Sequence, residues 1–299
     1  MQTQEPAFIP TSDGHALQLR CVRPDPAAAH SAAVLFIHGL FSDSRFFLGA
    51  GDQGAARFFV ERGYTVYLGE LRGHGRSQRP GPARWDWGFD AYARHDLPDL
   101  IRAARARHDG PLFLFCHSMS GYAALVGLAL DPALQQSLAG VVTLSSAVND
   151  YSDGGLKKRF MVGLSATLGA LLGRFPAKAL KQGPADEPGK LMRQFAAWAR
   201  DGSFTSEDGR TDYWQALAKV KLPVYAGIGQ ADVFHASPAR GQKLLERLGS
   251  ADKTFTVLGT RGGLARDYGH IDVARGKQAE AEVFPAIDAW MRARLPAAN

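Results

Sequence analysis

Six short runs of almost unbroken apolar residues are the strongest constraint on how this 299-residue chain folds. They are AAVLFIHG (32–39), TVYLGELRG (65–73), PLFLFCH (111–117), GVVTLSSA (140–147), PVYAGIG (223–229) and KTFTVLG (253–259). A strand with one wet face alternates apolar and polar residues, whereas a strand covered on both faces does not. The runs therefore predict a parallel sheet buried between two layers of helices. Helical periodicity places those helices at 50–62, 97–108, 119–130, 238–249 and 276–294. Asp96 reads as the cap of the second, with Pro98 in its first turn. The segment 119–130 is apolar on nearly every side, which sets it against the sheet. Ahead of the runs, AFIPTSDGHALQLRCVRP reads as a hairpin turning at Ser12-Asp13-Gly14. Alternation of strand and helix gives a doubly wound α/β fold.

One interval breaks the rhythm. From Asn149 to Val220 there is no convincing strand, a span far too long for a loop in a compact domain. It carries the helical patterns LKKRFMVGLSATLGALLGRF and GKLMRQFAAWAR around the turn cluster KQGPADEPG. We read residues 150–215 as a helical cap inserted into a core made of 1–149 and 216–299, lying over the strand ends where α/β sheets bind ligands. The net charge of +6 is scattered, and the longest basic run, Lys157-Lys158-Arg159, is too short for a nucleic-acid footprint. Cys21 and Cys116 make neither a disulfide framework nor a zinc pattern, so no metal site is expected. The opening MQTQEPAFIPTSDG lacks a charged-then-apolar leader, and no apolar run approaches the ~20 residues of a membrane helix. The expectation is a cytoplasmic protein.

The stretch FCHSMSG (115–121) carries the chemistry. Ser118 stands where an apolar strand runs into an apolar helix, and serine at such a junction is also a good N-cap. A reactive serine requires a sharp turn that lifts its hydroxyl above the sheet and tolerates only small residues two before and two after. Those positions hold Cys116 and Ser120 where the usual elbow has glycine, and Gly121 follows. Asp232 lies in QADVF after the strand at 223–229, and His270 lies in DYGHIDV ahead of the last helix. A nucleophile, acid and base in the order Ser, Asp, His, each after a different strand, make a catalytic triad.

Together ELRGHGRS (70–77), His38-Gly39, HSMSG and YGHIDV resemble the α/β-hydrolase superfamily. The likeness is nearest to the branch of monoacylglycerol lipases, lysophospholipases and serine aminopeptidase-type hydrolases, and covers residues 6–149 and 220–296. It implies a mostly parallel eight-stranded sheet with the cap inserted after the sixth strand. It also implies an oxyanion hole from the backbone N–H groups of Leu40 and Met119, and a structural role for RGHGRS in buttressing the elbow. The implied activity is that of a serine hydrolase cleaving carboxylic esters through an acyl-enzyme, with no cofactor. An acyltransferase using the same triad and a non-catalytic ligand receptor are the alternatives. The apolar cap suggests a hydrophobic acyl pocket, with Phe41, Phe160, Leu164 and Trp198 as candidate substrate contacts. The expected partner is a small hydrophobic ester rather than nucleic acid. The cap segment from Lys157 to Phe175, three cations followed by apolar residues, would support transient lipid docking but no stable membrane insertion.

Overall fold

A buried strand has no wet face to mark with polar residues, and that is the environment five of the six apolar runs find; the sixth, at 253–258, is an edge strand in which only Leu258 is buried. In the computed structural model, which describes residues 2–27, 30–49, 54–77, 85–151 and 155–296, the central strands are buried along their whole length. The strands are β1 (Gln2–Thr3), β2 (Ala7–Pro10), β3 (Ala16–Arg23), β4 (Ala33–Ile37), β5 (Thr65–Gly69), β6 (Leu112–His117), β7 (Gly140–Leu144), β8 (Arg174–Phe175), β9 (Glu187–Pro188), β10 (Val224–Gly229) and β11 (Lys253–Leu258). The main sheet runs β1-β3-β5-β4-β6-β7-β10-β11, with β2 paired beside β1 on the same edge of β3. Six strands from β5 to β11 are parallel, while β1, β2 and β3 are joined antiparallel. The described residues thus give nine strands rather than eight, the two-residue β1 being the addition. The chain leaves β4 for β5 on one side and returns to place β6 on the other. The carboxyl ends of β4 and β6 therefore flank the point where the strand order reverses, the usual ligand crevice of open α/β sheets.

Two apolar layers sandwich this sheet. One contains helices α1 (Ala55–Glu61) and α7 (Phe284–Arg292), through Phe58, Phe59, Phe284 and Trp290. The other contains α2 (Leu97–Arg105), α3 (Met119–Leu130) and α6 (Pro238–Glu246). Residues 50–53 of the first expected helix lie outside the described residues. The expected start of the second helix needs correction. It begins at Phe89 and passes through a π turn, Tyr92–Asp96, before α2. Pro98 inside a helix has no N–H and crowds the preceding turn. The wider turn accommodates this, with the Leu97 N–H donating to the Tyr92 carbonyl. Asp96 accordingly caps nothing. Its carboxylate instead accepts from the Arg72 backbone N–H at 2.8 Å and from the guanidinium at 2.7 and 2.8 Å.

Arg72 is buried, and its other face binds Asp13 in the turn of the β2–β3 hairpin at 2.7 and 2.9 Å. One side chain thus ties the amino-terminal hairpin to α2. Of RGHGRS, Arg72 and His74 are spent inside the fold, while Arg76 is exposed.

Between β7 and β10 the chain forms α4 (Gly155–Leu172), the β8–β9 ribbon and α5 (Gly189–Asp201). The two helices pack where Gly169 meets Gly189, a Cβ on Gly169 standing only 2.8 Å from the Gly189 Cα. Phe195 and Trp198 of α5 seat the segment on the core in a cluster with Phe89, Phe204 and Tyr213, Trp198 lying 5.0 Å from Phe89 and 4.9 Å from Phe204. Among the described residues no helix is long and apolar enough to cross a membrane.

Removing Arg72 would leave two carboxylates without their cation, one of them fully buried. Arg72→Met is expected to lower stability by about 3–5 kcal/mol, the range for breaking a buried ion pair, read from the urea midpoint at unchanged slope.

Candidate active site

Ser118 joins β6 to α3 with φ 60° and ψ −129°, a left-handed backbone that costs a non-glycine residue about 1–3 kcal/mol. The turn is held from three sides. The Ser118 N–H donates to the Leu144 carbonyl at 2.9 Å, and its own carbonyl accepts from the Gly121 N–H at 3.0 Å and the Ser146 hydroxyl at 2.8 Å. The Ser118 hydroxyl makes no capping bond to α3, so it is not an N-cap in the energetic sense. The demand for a small residue falls hardest on Gly121, where a Cβ would overlap the Ser146 hydroxyl and stand 2.7 Å from the Ser146 Cβ. Ser120 turns its hydroxyl inward, 2.9 Å from the carbonyls of both Ile37 and His117. Cys116 is fully buried, and that burial pushes its thiol up from the ordinary value, away from the reactive thiolate.

The structure brings Ser118, His270 and Asp232 into one chain of contacts. Ser118 Oγ lies 2.9 Å from His270 Nε2, and His270 Nδ1 lies 2.6 Å from Asp232 Oδ2. Asp232 is buried, and its second oxygen accepts from the N–H groups of Ala236 at 3.0 Å and His235 at 3.2 Å. Burial alone would push this carboxyl up. The hydrogen bond and charge of His270, with the Ala236 amide, outweigh that and hold it below the usual carboxylate range.

Two further imidazoles flank His270, with ring centroids 5.0 Å away for His117 and 4.5 Å for His235. His117 Nε2 donates to the His270 carbonyl at 2.7 Å, since a carbonyl only accepts. Burial first, then the neighbouring His270, pushes His117 down to about 3 and lowers His235 as well. Both therefore stay neutral and leave the carboxylate to His270.

Leu40 follows Gly39 at the end of β4, against the elbow. A Cβ on Gly39 would come within 2.8 Å of the Ser118 Cβ. His38 Nδ1 donates to the Gly39 carbonyl at 2.8 Å, and in a trans peptide this turns the Leu40 N–H to the opposite side. Met119 is the first residue of α3, where helix geometry provides no acceptor for the N–H. Among the described residues neither amide donates to the protein.

Two neighbouring cavities open here. One, of about 690 Å³, is lined by Leu40, Phe41, His117, Ser118, His235 and His270, with Lys157 and Arg275 also at its walls. The second, of about 310 Å³, is lined by Leu164, Leu168, Phe175, Leu180, Met192 and Phe195 and shares Leu40, Phe41, Met161 and Phe234 with the first. Of the four candidate substrate contacts, Phe41 lines both cavities and Leu164 the second. The other two line neither. Phe160 is 70% exposed on the outer face of α4, and Trp198 is 3% exposed inside its aromatic cluster. Helical spacing placed Phe160 and Trp198 in one inserted segment but did not say which face each took. Sequence reading did not single out Met161, Phe234 or His235 as substrate contacts, although the last two sit just beyond Asp232 in QADVFH. Nor does the sequence around Ser146 signal that its hydroxyl would bond the Ser118 carbonyl.

The sheet order, the serine elbow and the strand ends meeting at it define an α/β-hydrolase. Within that class, the serine aminopeptidase S33 family matches residues 28–198, more than half of the chain, and the chain belongs to it. A probable lipase of Schizosaccharomyces pombe is 28% identical over 158 residues, covering 48% of this chain but only 34% of that protein. Caffeoylshikimate esterase of Arabidopsis thaliana is 26% identical over 234 residues, covering 75% of this chain and 68% of its own length. A soluble variant of monoglyceride lipase from Saccharomyces cerevisiae, solved with a substrate analogue, superimposes with a TM-score of 0.71 at 16% identity. That superposition covers 99% of this chain and 97% of the other, and it speaks for the fold.

The elbow geometry makes a steric prediction. Gly121→Ala should destabilise the protein by about 1–3 kcal/mol through overpacking and slow labelling of Ser118 by a fluorophosphonate. Adding Ser146→Gly removes the colliding atoms, and the double variant should regain part of the lost stability in the same thermal melt.

Proposed function

We propose that the protein is a serine hydrolase that cleaves hydrophobic carboxylic esters through an acyl-enzyme on Ser118. The observation that carries this reading is the contact chain Ser118 Oγ, His270 Nε2, His270 Nδ1, Asp232 Oδ2, set beside two backbone amides that have no acceptor among the described residues. As Ser118 Oγ attacks the ester carbonyl, His270 Nε2 takes its proton and then delivers it to the departing alkoxide. Asp232 keeps the other ring proton on Nδ1 and offsets the imidazolium charge. The N–H groups of Leu40 and Met119 receive the oxyanion, and each donor of this kind lowers the barrier by ~3–4 kcal/mol. Water, activated by the same imidazole, releases the acid and regenerates the serine.

The second cavity supports an apolar acyl chain. It continues from the serine-containing cavity, and its walls come from α4, the ribbon and α5, so the segment 150–215 acts as a cap that shapes substrate choice. In α4, Leu156, Phe160, Leu171 and Leu172 are exposed to solvent, as are Lys157 and Arg159. A surface of that make-up supports transient docking on anionic lipid.

Three measurements test the reading. Ser118→Ala should abolish fluorophosphonate labelling and ester turnover while the melting temperature holds, and labelling that persists in this variant would refute the assignment. Asp232→Asn should cut kcat by roughly 10⁴-fold, because the wrong imidazole tautomer then faces the serine. Leu164→Ala should shift the preferred acyl length on a series of p-nitrophenyl esters, and an unchanged chain-length profile would remove the acyl-pocket assignment. Turnover that needs an added alcohol or amine acceptor would mark an acyltransferase instead.

A further inference from the structure

A buried carboxylate from the ribbon reaches the loop that carries Leu40. Glu187, in β9, is fully buried. Its Oε1 accepts from the Phe41 N–H at 3.0 Å and lies 2.9 Å from His74 Nε2, and its Oε2 accepts from the Tyr92 hydroxyl at 3.0 Å. The Trp87 indole in turn donates to that hydroxyl at 3.0 Å.

The ribbon grips Phe41 on its other side too. The Ala185 N–H donates to the Phe41 carbonyl at 3.2 Å, and a Cβ on Gly183 would collide with that same oxygen. Phe41 has φ 59°, a backbone that persists only where its surroundings enforce it. The Phe175 ring, from the partner strand β8, packs 5.4 Å from the Phe41 ring. The residue after Leu40 is therefore held at its N–H, its carbonyl and its side chain by 175–187.

His74 completes the arrangement. Its Nδ1 faces the Arg72 carbonyl at 2.8 Å and its Nε2 faces the Glu187 carboxylate, so both ring nitrogens meet acceptors. An imidazole bonded in this way carries two protons. Burial alone would lower its affinity for the second proton, but the Glu187 charge and hydrogen bond raise it. The buried carboxylate therefore has a cation of its own, and three donors remain fixed around it.

From these contacts we infer that Glu187 is a positioning residue for the oxyanion hole, fixing the Leu40–Phe41 backbone so that the Leu40 N–H faces the reacting carbonyl only when the ribbon is seated. The inference rests on the acyl-transfer reading of Ser118. It makes the cap a part of the catalytic geometry rather than only a wall of the pocket.

The test compares wild type with Glu187→Ala, Glu187→Gln and the ribbon control Asp186→Asn, using the concentration dependence of fluorophosphonate labelling to separate the limiting rate from the half-saturating concentration. The phosphoryl oxygen of this reagent occupies the oxyanion site. Glu187→Ala should lower the limiting rate by about 10- to 100-fold with half-saturation nearly unchanged, less than the ~10²–10³ of deleting a donor outright. Glu187→Gln keeps an oxygen for the Phe41 N–H and should recover part of the rate, and Asp186→Asn should behave as wild type. A wild-type limiting rate in Glu187→Ala, or a change confined to half-saturation, overturns the inference. If Glu187→Ala does not fold, the near-isosteric Glu187→Gln decides by the same two readouts. A wild-type protein that labels at Ser118 yet turns over no ester removes the hydrolase reading and leaves the rate comparison to judge Glu187. A wild-type protein that does neither removes both.

Discussion

The left-handed backbone at Ser118 is the constraint on which the rest of the site depends. A non-glycine residue holds φ 60° only if its neighbours supply more than the strain removes, and here they come from the end of β7 and the turn just after it. The Leu144 carbonyl and the Ser146 hydroxyl bond the two backbone groups of Ser118, and Gly121 leaves room for that hydroxyl. The parallel register places β4 on the opposite flank of β6, which brings Gly39 against the Ser118 Cβ. Strand order, elbow and amide donors are thus one geometric statement.

Beneath the elbow the protein buries several ionisable groups whose contacts hold loops. Arg72 bridges Asp13 and Asp96, Glu70 accepts from Ser44 at 2.6 Å, and His74 pairs with Glu187. A histidine whose folded affinity for the proton is raised contributes stability that is complete below its unfolded value. That contribution is lost as pH rises through the folded one. The contribution of the His74 pair is therefore complete below the ordinary imidazole value and is lost as pH rises past it through the raised folded one.

Much of this was legible in the sequence because burial on both faces erases alternation. All six parallel strands fall within the apolar runs, and the turn at Asp13-Gly14 joins the expected hairpin. Ser118, Asp232 and His270 each follow a different strand, and the structure brings all three together. What sequence could not give were side-chain directions and long-range partners. Asp96 followed by Leu97-Pro98 looks like a helix start, yet the real start lies at Phe89 and the carboxylate belongs to an arginine 24 residues earlier. Phe160 and Trp198 have the same apolar character as Leu164, but one faces solvent and one faces the core. Glu187, inside a turn-rich stretch, gave no local sign that it would be buried 146 residues from its backbone partner.

The grip of the ribbon on Phe41 has a consequence for how such enzymes diversify. An insertion between two strands of a rigid sheet looks like an exchangeable module, free to be traded for another with a different pocket. Here the exchange would carry away the acceptor of the Phe41 N–H and strand the charge on His74 inside the core. A graft from a relative would succeed only if it brought a carboxylate to the same place, or if the imidazole and its loop changed with it. On the proposed role of Glu187, pocket shape and reaction geometry are linked in this chain, and a change of specificity is expected from substitutions within the insertion rather than from its wholesale replacement.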